Sequence, residues 1–290
     1  MRAMRLGFVT AALVTLASAA GVQFGQPLQS CPPDAVISGT TCMDKYEASV
    51  WRVPNATTTN KILVTKIQKG TATYSDLVSH GAAQLGSRCP YCEAHPGSFE
   101  CGANCPLGIP NDYPPCGVDG QNCADIFATS LPGVVPSGAS WFQAQQACKN
   151  ARKRLPSNAE WQAAVAGTPV AGNSGSSGCH AGEDDAIATL TGSRSACVSW
   201  DGAFDMVGNA MEWVAEWVPR STTCGVWRDT ESWGVGGNDQ CFAGAATTGE
   251  PGALVRGGRS FMFTPTTAGP LAVDGASSPL EWGAGFRCDR

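Results

Sequence analysis

Apolar side chains follow a helical period most clearly within residues 140–167. After residue 140 they recur every three to four positions, at Trp141, Ala144, Cys148 and Ala151. This spacing predicts an amphipathic helix. Ser140 with Gln143, and Ser157 with Glu160, have the spacing of a capping box, in which two residues three apart satisfy each other's backbone N–H groups. The pattern therefore predicts two consecutive helices.

Strand-like patterns occur nearer the N-terminus. Apolar and polar side chains alternate over Thr41–Ala48, and turn-forming residues precede this run, so residues 21–50 are predicted to form a pair of strands. The apolar run Ile62–Ile67 predicts a further strand. Residues 170–290 are rich in Gly and Trp and poor in periodic structure, which predicts loops packed on a small sheet.

Residues 52–135 differ from the rest of the chain. They are rich in loops, and Gly and Pro interrupt their cysteine-rich part. Six cysteines lie within them: Cys89, Cys92, Cys101, Cys105, Cys116 and Cys123. We therefore predict an insertion within a single domain of residues 21–290, held together by its own disulfides rather than by a core.

Composition narrows the class of protein. The 290 residues include 19 Lys and Arg against 24 Asp and Glu, a net charge of −5. A mildly acidic chain without clusters of basic residues argues against a nucleic-acid partner. The hydrophobic share of 43% and the nine Trp predict a folded core rather than disorder.

The first 20 residues have the features of a secretory signal peptide. A short basic start precedes the apolar run Leu6–Leu16, and small residues follow it. This run is too short to span a bilayer, which takes about 20 helical residues. No second hydrophobic span follows, so no transmembrane segment is predicted. We expect an exported protein, either secreted or in the periplasm and cell envelope.

All 14 cysteines lie beyond this segment, and their number is even. In an oxidising compartment such cysteines are expected to be paired. Cys31–Cys42, Cys179–Cys197 and Cys224–Cys241 are the local pairs expected. For the six insertion cysteines, three local disulfides are favoured over a zinc site of four sulfur ligands from Cys89, Cys92, Cys101 and Cys105. A redox pair of Cys89 and Cys92 is the weakest alternative.

Four motifs over residues 138–288 resemble the formylglycine-generating enzyme (sulfatase-modifying factor) family. They are Gly138–Cys148 with Lys153–Trp161, Asp205–Trp213, Val255–Gly258 and Gly285–Cys288. Met43–Glu47 is also similar to a strand of that family. The resemblance implies an α+β, C-type-lectin-like fold, with a small twisted antiparallel sheet, two main helices and much irregular loop. It also implies a disulfide between Cys148 and Cys288.

The residues that active relatives need are missing. The resemblance implies a copper site of two cysteines just after the Gly257–Gly258 pair, because soft thiolates hold Cu(I). Residues 259–270 contain no cysteine, and Met262 is no substitute for two thiolates. Iron-dependent relatives need clustered histidines, whereas this chain has only His80, His95 and His180. We therefore expect neither copper nor iron. We also predict His180 to be a solvent-exposed loop residue.

The resemblance also implies a calcium loop at residues 208–212. Its candidate ligands are the Glu212 carboxylate and the carbonyls of Gly208 and Ala210, with Asn209 contributing or shaping the turn. Calcium prefers six to eight oxygen ligands, which such groups supply. The alternative is that Asn209 and Glu212 orient a helical turn before Trp213 without a metal.

Two groups of tryptophans could face either a core or a ligand. Trp213 and Trp217 are four residues apart and would share one face of a helix, where core packing is favoured over sugar stacking. Four others lie in loop-like sequence compatible with a ligand-facing surface: Trp200, Trp227, Trp233 and Trp282. None of these four is assigned individually.

The sequence thus predicts an exported, disulfide-rich, sulfatase-modifying-factor-like protein without catalytic residues. It would act as a binding or structural module at the cell envelope, and its partner would be an envelope protein or a glycan. The alternative hypothesis is an envelope enzyme with oxidative or maturation chemistry different from formylglycine generation.

Overall fold

The computed structural model describes the following residues: 30–87, 113–169, 178–180, 188–218, 220–221, 226–228, 239–241, 245–246, 252–258, 273–276 and 284–290. The predicted signal peptide lies outside them. Small sheets and a few short helices make up the described part, which confirms the predicted α+β class. No helix within these residues is long and apolar enough to cross a membrane.

The N-terminal part forms the predicted strand pair. Strand β1 (Ala35–Ser38) pairs antiparallel with β2 (Thr41–Asp44) around a two-residue turn. The predicted strand Thr41–Ala48 does not continue, because the chain bends after Asp44 and a new strand, β3 (Ala48–Arg52), begins in another sheet. There β3 lies between β4 (Ala83–Leu85) and β5 (Ile126–Ser130).

The apolar run at residues 62–67 was predicted as a strand, and this prediction is wrong. Lys61–Gln68 form helix α1, followed by α2 at Tyr74–Ser79. Only Leu63 and Ile67 are buried, and Ile62 is 71% exposed. Buried residues four apart are the pattern of one helix face, so tertiary packing overrides the β preference of the branched side chains.

The prediction of an insertion held only by disulfides is also wrong for its described part. Leu63, Ile67 and Leu77 pack with Trp51 and Phe127 in an apolar cluster of buried side chains. Strand β5 completes the sheet that β3 begins, so the segment contributes directly to a core. Hydrophobic burial therefore supplements its disulfides.

The two predicted helices are present with their predicted caps. Helix α3 spans Trp141–Asn150 and helix α4 spans Asn158–Ala164. In each, the side chain of the preceding serine accepts the N–H of the third helical residue, and that residue's side chain accepts the serine N–H in return. Both capping boxes are confirmed, and they fix where α3 and α4 begin.

A six-stranded sheet occupies the C-terminal part. The remaining strands in chain order are β6 (Glu212–Val218), β7 (Arg220–Ser221), β8 (Val226–Arg228), β9 (Asp239–Cys241), β10 (Ala245–Ala246), β11 (Gly252–Arg256), β12 (Val273–Ala276) and β13 (Gly285–Phe286). Six of these strands form the sheet, in the order β13-β6-β11-β12-β9-β8. Within this sheet the β13–β6 and β12–β9 pairs are parallel and the other pairs antiparallel, whereas β7 and β10 form a separate parallel pair. The main core lies where β6, β11 and β13 pack against α3 and the β3–β5 sheet.

Candidate functional site

The segment predicted as a calcium loop leads into the central strand β6. Gly208 and Asn209 both have a positive φ, 75° and 57°, which turns the chain sharply. The Gly208 N–H donates to the Gly257 carbonyl at 3.0 Å, and the Asn209 N–H donates to the His180 carbonyl at 2.7 Å. These bonds hold the turn against two distant parts of the chain. Contacts with those parts therefore help to fix the backbone conformation of the turn.

Asn209 uses its amide within the protein. Its Nδ2 donates to the Glu47 carboxylate in a short hydrogen bond, and its Oδ1 accepts the Thr189 N–H at 2.7 Å. The second Glu47 oxygen accepts the Ala210 N–H at 3.0 Å. Glu47, Asn209 and Ala210 are buried, and Thr189 is half-buried. Asn209 therefore joins the strand region around Glu47 to the turn before β6.

Glu212 is the centre of a buried ion pair. Both its carboxylate oxygens accept from Arg287, at distances between 2.6 and 3.0 Å. Its Oε2 also accepts from the Trp161 indole Nε1 at 2.6 Å. Arg287 further donates to the carbonyls of Asp44 and Phe204. One guanidinium thus connects β6, the last strand, the first hairpin and the segment before residue 208.

Charge in this buried cluster shifts the acid–base equilibria of its members. Burial raises the pKa of Glu47 well above its ordinary value of 4.5, and the neighbouring Asp205 and Glu212 carboxylates add to this. Burial likewise raises the pKa of Asp205 to about 6, although the Gly192 N–H bonded to it acts in the opposite direction. Burial opposes the charge of Arg287, yet Glu212 together with Glu47 and Asp205 raises its pKa.

The side chains of the predicted calcium loop do not fit a calcium site. Both Glu212 oxygens face Arg287, and a cation beside that guanidinium would be repelled. The Asn209 Oδ1 already accepts from Thr189. The described residues hold no group of three or more His, Cys, Asp or Glu that could bind a metal. Coordination by the carbonyls of Gly208 and Ala210 stays a prediction.

His180 does not lie where the sequence predicts. It is 2% exposed rather than solvent-exposed, and its Nδ1 lies 2.8 Å from an Arg194 guanidinium nitrogen. Its carbonyl accepts the Asn209 N–H, which ties it to the turn before β6. His80 is exposed at the end of α2, and His95 lies outside the described residues. The two described histidines therefore occupy separate places.

Four disulfides are present in the described residues. Cys31–Cys42 and Cys179–Cys197 are local pairs that the sequence indicated, and Cys148–Cys288 is the bridge that the family resemblance implies. Cys116–Cys123 joins two insertion cysteines. The other predicted partners lie outside the part whose side chains are described: Cys89, Cys92, Cys101, Cys105, Cys224 and Cys241. The zinc and redox alternatives for the insertion concern the first four of these residues.

Strand β11, which precedes residues 259–270, is held in place by a buried arginine. Arg256, at the end of β11, lies over the Trp161 ring at 4.5 Å and donates to Asn158 at 2.7 Å and, more closely, to Gln162. Burial lowers the pKa of Arg256 to about 10, while Glu216 opposes the shift. The segment that follows, residues 259–272, lies outside the described residues and includes Ser260 and Met262.

Trp213 and Trp217 lie on strand β6 rather than on a helix, which corrects the predicted element. Residues four apart also share a face in a strand. Trp213 is fully buried, and Trp217 packs against Trp141 with ring centroids 5.1 Å apart. Both contribute to the core, as favoured from the sequence. Of the loop tryptophans, only Trp200 lies among the residues with described side chains.

Part of this chain is similar to a known protein family and to solved structures. A family model described as "Sulfatase-modifying factor enzyme 1-like domain" matches residues 134–290. The search of curated proteins finds no match. Solved structures of the Major Tropism Determinant are similar. The U1 variant has a TM-score of 0.43 at 16% identity, covering 91% of this chain and 54% of that one. The P3c variant has a TM-score of 0.33 at 24% identity, covering 52% and 38%. The chain thus spans about half the length of the first of these.

Proposed function

This chain belongs to the sulfatase-modifying factor enzyme 1-like family, whose fold is C-type-lectin-like, and from that premise we propose that it is an exported, non-catalytic member. It acts as a binding or structural module at the cell envelope. The observation that carries this proposal is the absence of cysteine from the segment after Gly257–Gly258, where active relatives hold copper.

The chemistry of that segment supports the proposal. Copper-dependent oxygen activation needs two thiolates placed together, since soft sulfur ligands hold Cu(I). Between Cys241 and Cys288 the chain has no cysteine, and Cys288 is bonded to Cys148. None of the described cysteines is free. A thiolate pair at the family's catalytic position is therefore ruled out by the sequence.

The family motifs instead supply the framework. Glu212 and Arg287 pair with each other, and the Asn209 amide bonds to Glu47 and Thr189. A framework fixed in this way can present surface loops while its interior stays unchanged. Four disulfides support placement in an oxidising compartment. Fold alone does not dictate chemistry, so retention of the framework without the copper ligands is consistent with a binding role.

One experiment tests the absence of catalysis. Mature protein loaded with copper is incubated with a peptide containing Cys-x-Pro-x-Arg, and the peptide mass is followed. We expect no conversion of the cysteine, whereas an active formylglycine-generating enzyme in the parallel reaction converts it. Turnover by this chain would overturn the non-catalytic assignment.

A second experiment tests the binding role. Fluorescently labelled mature protein is added to cells of its source and to their isolated envelopes. We expect saturable labelling that unlabelled protein competes away. Labelling that rises linearly with concentration and resists competition would contradict a specific binding module.

A further inference from the structure

The most exposed aromatic side chain in the described part of the chain belongs to Trp200, which lies outside the three hydrophobic clusters. Trp200 is 84% exposed, more than any other large hydrophobic residue in that part of the chain. It occupies the tip of a tight turn in which the Gly202 N–H donates to the Ser199 carbonyl at 3.0 Å. Contact with a ligand would remove the apolar surface of this ring from water, which is favourable.

The backbone around Trp200 is held in place. The Ser199 N–H donates to the Ala203 carbonyl at 2.9 Å, and the Ala203 N–H donates to the Ser199 hydroxyl at 3.1 Å. The Trp200 N–H itself donates to the carbonyl of Ala166, just beyond helix α4, at 2.8 Å. The turn is therefore joined to a second element, and the ring projects from a fixed base.

Gly167 supplies a seat for the ring. A Cβ atom added at Gly167 would lie 2.2 Å from Trp200 Cδ1 and 2.3 Å from its Nε1, so the five-membered ring lies directly against the glycine backbone. Gly167 also has a φ of +81°, which glycine adopts without strain. The contact orients the indole, and the high exposure leaves most of its surface to solvent. Such pre-orientation lowers the entropy cost of binding.

The surroundings of Trp200 favour one class of ligand. The exposed residues beside it are small or polar, namely Ala166, Gly167 and Asp201. A protein interface generally needs a contiguous apolar patch of several hundred Å², which Trp200 and the described residues beside it do not provide. A pyranose needs only a flat apolar surface for its C–H face and polar groups for its hydroxyls. Indole also offers an N–H group that can donate to a sugar hydroxyl.

We propose that Trp200, seated on Gly167, is a stacking platform for a pyranose unit of an envelope glycan. The proposal rests on the binding role proposed above and deepens it by naming the ligand class and the anchoring side chain. Asp201 provides a carboxylate beside the platform for hydroxyl groups of the sugar.

The test compares four proteins: the wild type and the variants Trp200→Ala, Trp200→Phe and Ile62→Ala. Ile62 is 71% exposed on helix α1 and serves as the matched control for loss of an exposed apolar side chain. Each protein is applied to a printed array of pyranose-containing glycans, and calorimetry with the strongest free oligosaccharide gives the Kd. Thermal unfolding checks that every variant is folded, which the exposure of both sites leads us to expect.

We expect the wild type and Ile62→Ala to bind with the same Kd. Trp200→Ala should bind about tenfold more weakly or worse, the scale of losing one anchoring aromatic side chain. Trp200→Phe should lie between them, because it keeps a smaller ring. An array without any bound glycan, or equal affinity for wild type and Trp200→Ala, would overturn the proposal. Cells labelled equally by both would leave the binding role standing and remove only the platform. Failure of wild-type protein to label cells would count against the binding role itself.

Discussion

Glu212 acts on the fold through three hydrogen bonds from Arg287 and one from Trp161. Removing one member of a buried ion pair leaves the other charge without compensation. The same carboxylate cannot neutralise Arg287 and coordinate a cation beside it.

Glu212→Gln is expected to lower the free energy of unfolding by about 3–5 kcal/mol, because Arg287 would stay buried without its counter-charge. Glutamine keeps the size of the side chain and an oxygen for Trp161, so the loss reports charge rather than packing. Urea unfolding measures it, with calcium and with a chelator. We expect the same loss in both conditions.

The control for this prediction is Glu160→Gln. Glu160 pairs with Arg154, whose side chain is half-exposed, so its loss should cost about 1 kcal/mol or less. A wild-type melting temperature that falls on chelation, together with a Glu212→Gln variant that no longer responds, would contradict the structural role. It would place a calcium ligand at Glu212 instead.

The helix caps give a prediction at the scale of elements. Ser140 and Ser157 have equivalent capping boxes, but the fully buried Ser140 also donates its hydroxyl to the carbonyl of the half-buried Val118 at 2.5 Å. Ser157→Ala should cost about 1 kcal/mol, the usual value of a cap. Ser140→Ala should cost about 2 kcal/mol, because it also removes the hydrogen bond to the Val118 carbonyl. Chemical denaturation of both variants checks the difference, and equal losses would contradict it.

These caps also show which elements the sequence could predict. A capping box depends on residues three apart, so α3 and α4 were predictable with their starts. Helix α1 was missed because branched residues obscure a stripe of only two buried positions, Leu63 and Ile67. The sequence predicts a helix where strand β6 lies, because residues four apart share a face in a helix and in a strand alike. Local pattern was ambiguous there, and packing decided.

The candidate site was predictable only in part, for a related reason. Family motifs pointed to residues 208–212, but Glu212 is bonded to Trp161 and Arg287, 51 and 75 residues away. His180 is also buried among residues that lie elsewhere in the sequence, Arg194 and Asn209. A possible signal was the presence of charged residues inside otherwise apolar motifs, since a buried charge requires a partner. No local feature identifies which partner it is.

At the scale of the whole molecule, the two ends of the described chain are fastened together. Lys153, buried just after α3, donates to Asp34 at 2.6 Å and to Asp44 at 2.5 Å. Arg290 donates to the other oxygen of Asp34 at 2.8 Å. The sequence did not indicate this buried pairing. With the Cys148–Cys288 disulfide, it joins the first hairpin, the end of α3 and the C-terminus.

Removal of the Cys148–Cys288 disulfide by a double substitution to alanine should lower the free energy of unfolding by about 5 kcal/mol in the chain-entropy model. The bridge spans 140 residues, so it restricts the unfolded chain strongly. The matched control is the double alanine variant of Cys31 and Cys42, which are 11 residues apart and should give about 3 kcal/mol. Urea unfolding of both variants measures the difference. A larger loss from the shorter bridge would contradict the entropic account.

The balance of buried carboxylates sets how stability depends on pH. Burial raises the pKa of Asp205 and of Asp289 to about 6, from an ordinary 3.8, and raises the pKa of Glu47 in the same direction. The folded state therefore binds these protons more tightly than the unfolded state does. Their contribution to stability is fully present below pH 3.8 and is lost as pH rises through about 6.

Carboxylates with lowered pKa values act at lower pH. The hydrogen bonds from Lys66 to Asp76 and from Arg154 to Glu160 lower the pKa of each carboxyl to about 2. Their contribution is present above the ordinary values of 3.8 and 4.5 and is lost as pH falls towards 2. The free energy of unfolding should therefore be highest in mildly acidic solution.

We predict that the protein is more resistant to urea at about pH 4.5 than at about pH 7.5. Asp289 is fully buried, and its carboxylate lies 3.4 Å from an Arg154 guanidinium that Glu160 already engages, so its ionisation is poorly compensated. Asp289→Asn cannot ionise and should narrow the difference between the two pH values. Asp76→Asn is the control, and it should leave that difference unchanged, because Asp76 is ionised in both states at both pH values. A wild-type protein that is more stable at the higher pH would show that these buried carboxylates are compensated more fully than their surroundings indicate.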